Sequence, residues 1–475
     1  VTARRLRLAA ALAFVASAAC AKTNAEVAKV PEVKLPAAFD GKRGGRTAAT
    51  MSWKEYFADE NLNALVATAL ESNHDLRVAL QRIEIARAGV RQATGALLPK
   101  VSVAAGAGAS KLGTYTAEGA GNPTTHYGDF TLGLESTWEV DVWGKLRAMR
   151  DSARAQYLST IEGTSLVVTS LVSDVAVAYF DLIALDHTAE VLARAEARQT
   201  EALEMMRLQK EAGRSNELAV QQFEAQLAST RAMAAAIGRR GRETENQVSL
   251  LIGQAPRTIV RSRDLLLREV ADVASPGVPS DLLANRPDIR EAELQVQASR
   301  FDVDAARAAF FPSLTLTAGV GYRAFDPKHL FVTPESLVYS VAGGITAPLL
   351  NRSGLEAQHD AAKAAQVQAM YAYQGVILKA FVEVASSLIA VEKASEVVAQ
   401  KRREKAAMSG TVAAADALFR AGRATYLDVL LAQQKTLDAE LELIDALRDR
   451  RIAGVRLYRA IGGGWHPLVA VDAPR

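Results

Sequence analysis

Asp75-Leu76-Arg77 returns later in the chain as Asp288-Ile289-Arg290, and one constant offset carries Arg87 onto Arg300, Val90 onto Val303, Ala93 onto Ala306 and Pro99 onto Pro312. The same offset continues without a gap through Ala105 and Ala318, Gly106 and Gly319, Gly108 and Gly321. A second pair of segments, EAGRSNELAV at 211–220 and RAGRATYLDV at 420–429, follows in the same order. The chain is a duplication, and whatever one half forms, the other must match.

Each half changes character at a proline. In ALLPKVSVAAGAG (96–108) and AFFPSLTLTAGVG (309–321), apolar residues come at helical spacing before the proline and at every second residue after it. Upstream, Leu76, Leu80, Ile83, Arg87, Val90, Thr94 and Leu97 follow a four-three spacing beside a stripe of Ala79, Ala86 and Ala93, which predicts a helix with one close-packing face. The proline ring then stops the helix. Beyond it, Val101, Val103 and Ala105 alternate with Ser102, Ala104 and Gly106, and Leu314, Leu316 and Ala318 with Ser313, Thr315 and Thr317. Return strands follow. Phe130, Leu132, Leu134 and Trp138 oppose Asp129, Thr131, Gly133, Glu135 and Thr137, while Leu337, Tyr339, Val341 and Ile345 oppose Ser340 and Thr346. Such alternation over about ten residues fits a membrane β-barrel strand and equally a soluble hairpin with one buried face.

The rest reads as long helices. Lys145–Leu208 contains no proline and a single glycine, Gly163, and 64 helical residues span about 95 Å. Leu355–Arg420 matches it, interrupted by Gly375 and Gly410. Asn216–Ile252 and Thr425–Ile461 complete two antiparallel hairpins turning at Gly213 and Gly422. The expected organisation is a segment 1–19 removed on export, an anchored extended segment 20–57, a first repeat 58–256 with its β-hairpin near 100–138, a linker 257–278, a second repeat 279–465 with its hairpin near 313–347, and a tail 466–475.

The export reading rests on Arg4, Arg5 and Arg7, the apolar run Leu8–Ala19, and small residues up to Cys20. No later segment offers about 18 uninterrupted apolar residues, so no helical membrane anchor is expected. SAAC at 17–20 is similar to a lipobox, with Ser17 where leucine is usual; it predicts acylation of Cys20, against an ordinary signal whose cysteine is incidental. With an exported chain, the four strands favour the membrane reading. Four strands cannot close, and open edges in lipid leave backbone groups unpaired, so the chain must oligomerise. Two copies give the smallest barrel, and three give twelve strands with a passable lumen.

Composition excludes several classes. A net charge of +3 with 23% charged residues is too even for nucleic acid. A single cysteine permits no intrachain disulfide and no thiolate cluster. His74, His126, His187, His329, His359 and His466 are scattered, and no phosphate loop, nucleophile elbow or dinucleotide glycine pattern is present, so neither an enzyme nor a bound cofactor is expected. Arg87 and Arg300 are left as tunnel-lining residues or structural ion-pair partners.

SWKEYFADENLNALVATALESNHDLRVAL (52–80), WEVDVWGKLR (138–147), NRPDIREAE (285–293), AARAAFFPSLTLTAGVG (305–321) and FRAGRATYLDVLLAQ (419–433) resemble the outer-membrane efflux proteins of the TolC/OprM type, particularly the NodT-like lipoproteins of RND tripartite systems. The resemblance covers nearly the whole mature chain. It implies a mainly α fold carrying a membrane β-barrel: a homotrimer with a twelve-stranded barrel and a helical tunnel through the periplasm. It implies a passive exit duct that docks a periplasmic adaptor and serves an inner-membrane RND transporter, which usually selects the cargo. It also implies that the turn residues Gly213, Arg214, Gly422 and Arg423 meet the adaptor. Asp428 fits an often acidic position at the periplasmic aperture, with Leu427 and Leu431 as a hydrophobic constriction; Leu431 stands at the family's other acidic position. The alternative for Asp428 is a carboxylate favoured by a helix N-terminus. The rival reading of the whole chain is a periplasmic coiled-coil adaptor or structural protein that forms no pore.

Overall fold

The computed structural model describes residues 51–111, 113, 115, 116, 126–268, 285–348 and 352–464. The export segment, Cys20, most of the 20–57 segment, linker residues 269–278 and the 466–475 tail lie outside them.

Two short helices, α1 (Trp53–Phe57) and α2 (Glu60–Ser72), lead into the first half: α3 (His74–Gly95), β1 (Lys100–Lys111), β2 (His126–Val140), α4 (Lys145–Glu211) and α5 (Glu217–Leu251). The second half repeats that order as α6 (Pro287–Ala308), β3 (Ser313–Ala324), β4 (Leu337–Thr346), α7 (Arg352–Arg420) and α8 (Tyr426–Ala460). Local chemistry sets these bounds. Pro99 and Pro312 separate helix from strand, and Asn216 and Thr425 cap α5 and α8 with their side-chain oxygens.

Two expectations change, for the 20–57 segment and for α3. The 20–57 segment is not extended to its end, because Ser52 and Glu55 form a capping box that starts α1. The described part of the linker is tied to the helices. Arg261 binds Asp186 through two 2.7 Å bonds and Glu245 through a third, and Leu265 and Leu266 are buried in a 3-10 turn. On α3 the buried side runs through Leu76, Ala79 and Ile83 and continues half-buried through Ala86, Val90, Ala93 and Leu97, leaving Leu80 and Thr94 exposed. The small residues win that face because they admit a neighbouring backbone; Thr164 of α4 reaches the Ala79 carbonyl.

The chain divides into two compact units that cut across the halves. One comprises Ile83–Thr160 and Ala292–Tyr373 among the described residues and holds the sheet. Its strands run β1-β2-β3-β4, each antiparallel to the next, so the β2–β3 pairing joins the two halves. Gly133 and Gly321 face each other there, and a Cβ on Gly321 would come within 2.5 Å of the Gly133 Cα. Trp138 donates to the Leu97 carbonyl (2.9 Å), and Trp143 donates to that of Pro312 (2.7 Å) while stacking on Phe311. Tryptophans thus pin both helix-to-strand passages. Arg87 pairs with Glu84 and lies 5.9 Å from the Tyr157 ring centroid, whereas its repeat counterpart Arg300 is exposed.

The other unit takes the described parts of Val33–Arg82, Ile161–Glu291 and Gln374–Arg475. Tyr179 is fully buried, donates to Asp59 (2.9 Å), accepts from the Ser262 N–H (2.8 Å), and burial pushes its phenol up to about 12. Arg286, in the Asn-Arg-Pro-Asp segment, binds Asp288, Glu383 and the Ala460 carbonyl. No uninterrupted apolar run of that length appears, but α4 and α7 each contain an 18-residue stretch, broken by polar residues, that is apolar enough to cross a membrane by length and composition. In α4 that stretch is 67% buried, as for a core helix; in α7 only 11% is buried.

Candidate functional site

Register sorts the sheet into two chemically opposite faces. One carries Ser102, Gly106, Asp129, Thr131, Glu135, Thr137, Thr315, Thr317, Arg323 and Ser340, with Arg323 binding Asp129 through bonds of 2.8 and 2.7 Å. The other carries Val101, Val103, Phe130, Leu132, Leu134, Leu316, Val320, Tyr339, Val341 and Ile345. This apolar face is not a core: Val103 is 73% exposed, and Tyr339 and Val341 are each 83% exposed. An apolar sheet face open to its surroundings needs an apolar medium. Beta-strands β1 and β4 each have one edge without a strand partner among the described residues. All four helix-joined strand ends lie together, since Lys100 opposes Thr137, Val140 opposes Leu314, and Ser313 opposes Thr346.

The helical hairpins end in two turns of the same design. Gly213 and Gly422 both sit at φ +70, a left-handed conformation that costs glycine little. Arg214 N–H donates to the Gln209 carbonyl and Arg423 N–H to that of Leu418, each at 2.8 Å, which closes the last helical turn in a Schellman pattern. A Cβ on either glycine would meet nothing within 4 Å, so the positive φ alone demands glycine. Both arginines are exposed.

The hairpins pack side by side near these ends. Leu430 of α8 joins Leu203, Met206, Val220, Phe223 and Leu227 in one cluster, with Tyr426 against it. The expected aperture residues separate by role. Asp428 completes a capping box, its carboxylate accepting from the Thr425 N–H (2.8 Å) and hydroxyl (2.7 Å), and these bonds hold it below the usual carboxylate range. Leu427 and Leu431, one turn apart, are 51% and 48% exposed beside the inward-facing Val429 and Leu430. Sequence reasoning passed over Leu218, also exposed, although the offset that aligns the two turn segments carries it onto Leu427. Among the described residues no group of three or more His, Cys, Asp or Glu is placed to hold a metal.

An open apolar sheet face joined to helical hairpins of this length defines a chain that inserts in a membrane, not a soluble coiled coil. The outer membrane efflux protein family model matches residues 65–254 and 278–463, and the chain belongs to that family. It is 29% identical over 441 residues to the cation efflux system protein CusC of Escherichia coli, spanning 92% of this chain and 94% of the relative. It is 32% identical over 436 residues to the solvent efflux pump outer membrane protein SrpC of Pseudomonas putida, spanning 90% and 91%. Among solved structures it resembles a membrane protein from Pseudomonas aeruginosa (TM-score 0.85, 28% identity, 91% of this chain and 98% of the other). It also resembles the open MtrE outer membrane channel of Neisseria gonorrhoeae (TM-score 0.81, 26% identity, 92% and 97%). The chain is therefore an outer-membrane duct of a tripartite efflux system, with a periplasmic helical part, and passively conducts what its adaptor and transporter partners deliver. The pore-free reading falls.

Proposed function

We propose that three copies of this chain close into one channel, their four-stranded sheets forming a twelve-stranded barrel and their hairpins a helical tunnel. The observation that carries this is the open sheet, apolar on one face and, among the described residues, unpartnered at both edges. In lipid each free edge exposes backbone groups that only another copy can pair. The apolar stretch of α7 supports the same assembly, since Leu378, Val382 and Ile389 recur at helical spacing and stand exposed in the single chain. The polar face then lines the lumen.

In this reading an acyl chain on Cys20 tethers the N-terminus to the membrane. The tips at Gly213, Arg214, Gly422 and Arg423 receive the adaptor, and Leu427, Asp428 and Leu431 surround the periplasmic aperture. CusC is named for cations and SrpC for solvents, so the duct itself accepts small cargo of contrasting chemistry, and the inner-membrane RND transporter selects it. Membrane-extracted protein should run as a heat-modifiable species, and graded crosslinking should stop at three subunits. A monomer that stays soluble without detergent would overturn the reading.

A further inference from the structure

His359 stands on α7, shortly after its start at Arg352, and is only 5% exposed. Its Nε2 is buried and has no hydrogen-bond partner among the described residues. The Phe310 ring meets the imidazole edge-on, with the planes at 90° and the centroids 5.8 Å apart. Phe310 belongs to the turn that ends α6, just before Pro312 sends the chain into β3. The imidazole thus seats the end of one helix on the beginning of another, at a helix-to-strand joint. The first half is built differently there. The repeat offset carries Phe310 onto Leu97, whose carbonyl accepts from Trp138 at 2.9 Å.

Charged groups reach the ring from both helices: Arg307 from α6, and Asp360 and Lys363 from α7 itself. Only Asp360 favours a protonated ring. Its carboxylate stands 3.9 Å from Nδ1 and its side chain is 78% exposed, so water screens it. Asp304 and Glu356, a turn from Arg307 and from His359, are exposed as well. Burial first, then Lys363 and Arg307, hold the imidazole below the usual histidine range. At neutral pH the ring is uncharged and packs as an aromatic. Acid adds a charge and a second N–H where Nε2 has no acceptor. A histidine depressed in this way stabilises the fold fully above its unfolded value. That stabilisation is lost as pH falls from the unfolded value toward the folded one.

We propose that His359 is an acid-released pin of the second helix-to-strand joint. Neutral, it seats Phe310 between α6 and α7; protonated, it gives up that seat and the joint loosens. Ring, seat and neighbouring charges all belong to one chain, so the pin is independent of how copies assemble. The test takes the full-length protein in neutral-detergent micelles and reads amide exchange by mass spectrometry on peptides covering residues 305–312 and 94–100. After correction for the intrinsic pH dependence of exchange, opening of 305–312 should rise about threefold or more from about pH 7.5 to about pH 5.5. The first-half joint at 94–100 should not change. His359→Phe keeps an aromatic ring without a titrating nitrogen and should remove the rise. Lys363→Gln should shrink it, since a charged ring is then repelled less, and Asp360→Asn should enlarge it. No rise in the native protein would overturn the pin, as would an equal rise in His359→Phe or equal opening of both joints. Should His359→Phe fail to fold, the two neighbour variants decide, and a rise identical to the native one in both would overturn it.

Discussion

Asp428 shows how one carboxylate can be committed to its own helix before it can serve a pore. Its two bonds from Thr425 keep it ionised, and a carboxyl whose pKa is lower in the folded state stabilises only above its unfolded pKa. That contribution disappears as pH falls through the folded value. Asp428→Ala should therefore loosen the first turn of α8, seen as faster amide exchange there, and lower cation preference in planar-bilayer recordings. Unchanged selectivity with the same loosening would assign Asp428 to capping alone. Leu427→Ala makes no cap and should raise leak conductance without faster exchange. Glu291 behaves oppositely. Burial, then Asp288 and Glu162, push its carboxyl up, and it rests on α4 where a Cβ on Gly163 would come within 3.1 Å of it. A raised carboxyl pKa makes the folded state hold its proton longer, so stability is lost as pH rises through the folded value. Glu291→Gln should raise the melting temperature at neutral pH and lose that gain below about pH 4. A gain independent of pH would remove the ionic explanation.

At the scale of an element, the strand faces make the sharpest test. Leu132→Arg puts a charge on the apolar face and should cost roughly 2–4 kcal/mol of insertion near the midplane. The polar control must respect the register. Thr131 lies directly opposite Arg323, so an arginine there would oppose a like charge. Thr317, between Thr137 and Ala342, is the cleaner position. Thr317→Arg should insert normally and change single-channel conductance, whereas equal failure of both variants in a membrane-insertion assay would refute the assignment of faces. The strands were legible because alternation and the two prolines are local signals. Which side of α3 packs was less so. The four-three pattern ran through Leu80 and Thr94, but Ala79, Ala86 and Ala93 flank the same Leu76, Ile83 and Val90 with equal regularity, and the alanine side admitted α4 more closely.

For the whole molecule, assembly and anchoring are separable. Cys20→Ser should abolish incorporation of a fatty-acid probe while leaving pore formation intact, because a closed barrel holds itself in the bilayer. An unlabelled native protein would remove the lipid from the account. Val382→Asp places a charge on the exposed stripe of α7 and should stop crosslinking short of the trimer. Trimer formation equal to that of the native chain would show that this stripe is covered by something else.

Elements and their ends were determined by the sequence itself. Proline stops, glycines at φ +70, side-chain caps and apolar periodicity act over a few residues, so both halves could be drawn from their repeat. Tertiary structure alone decided the β2–β3 pairing that joins the halves, the burial of Arg261 between Asp186 and Glu245, and the inward turn of Leu430 beside the exposed Leu431. It also decided that the apolar stretch of α4 is core while that of α7 stays open. These outcomes depend on which surface arrives as a neighbour, and residues far apart in the chain supply that neighbour. Two like sequences can therefore be buried differently, because burial belongs to the pair of surfaces and not to either helix.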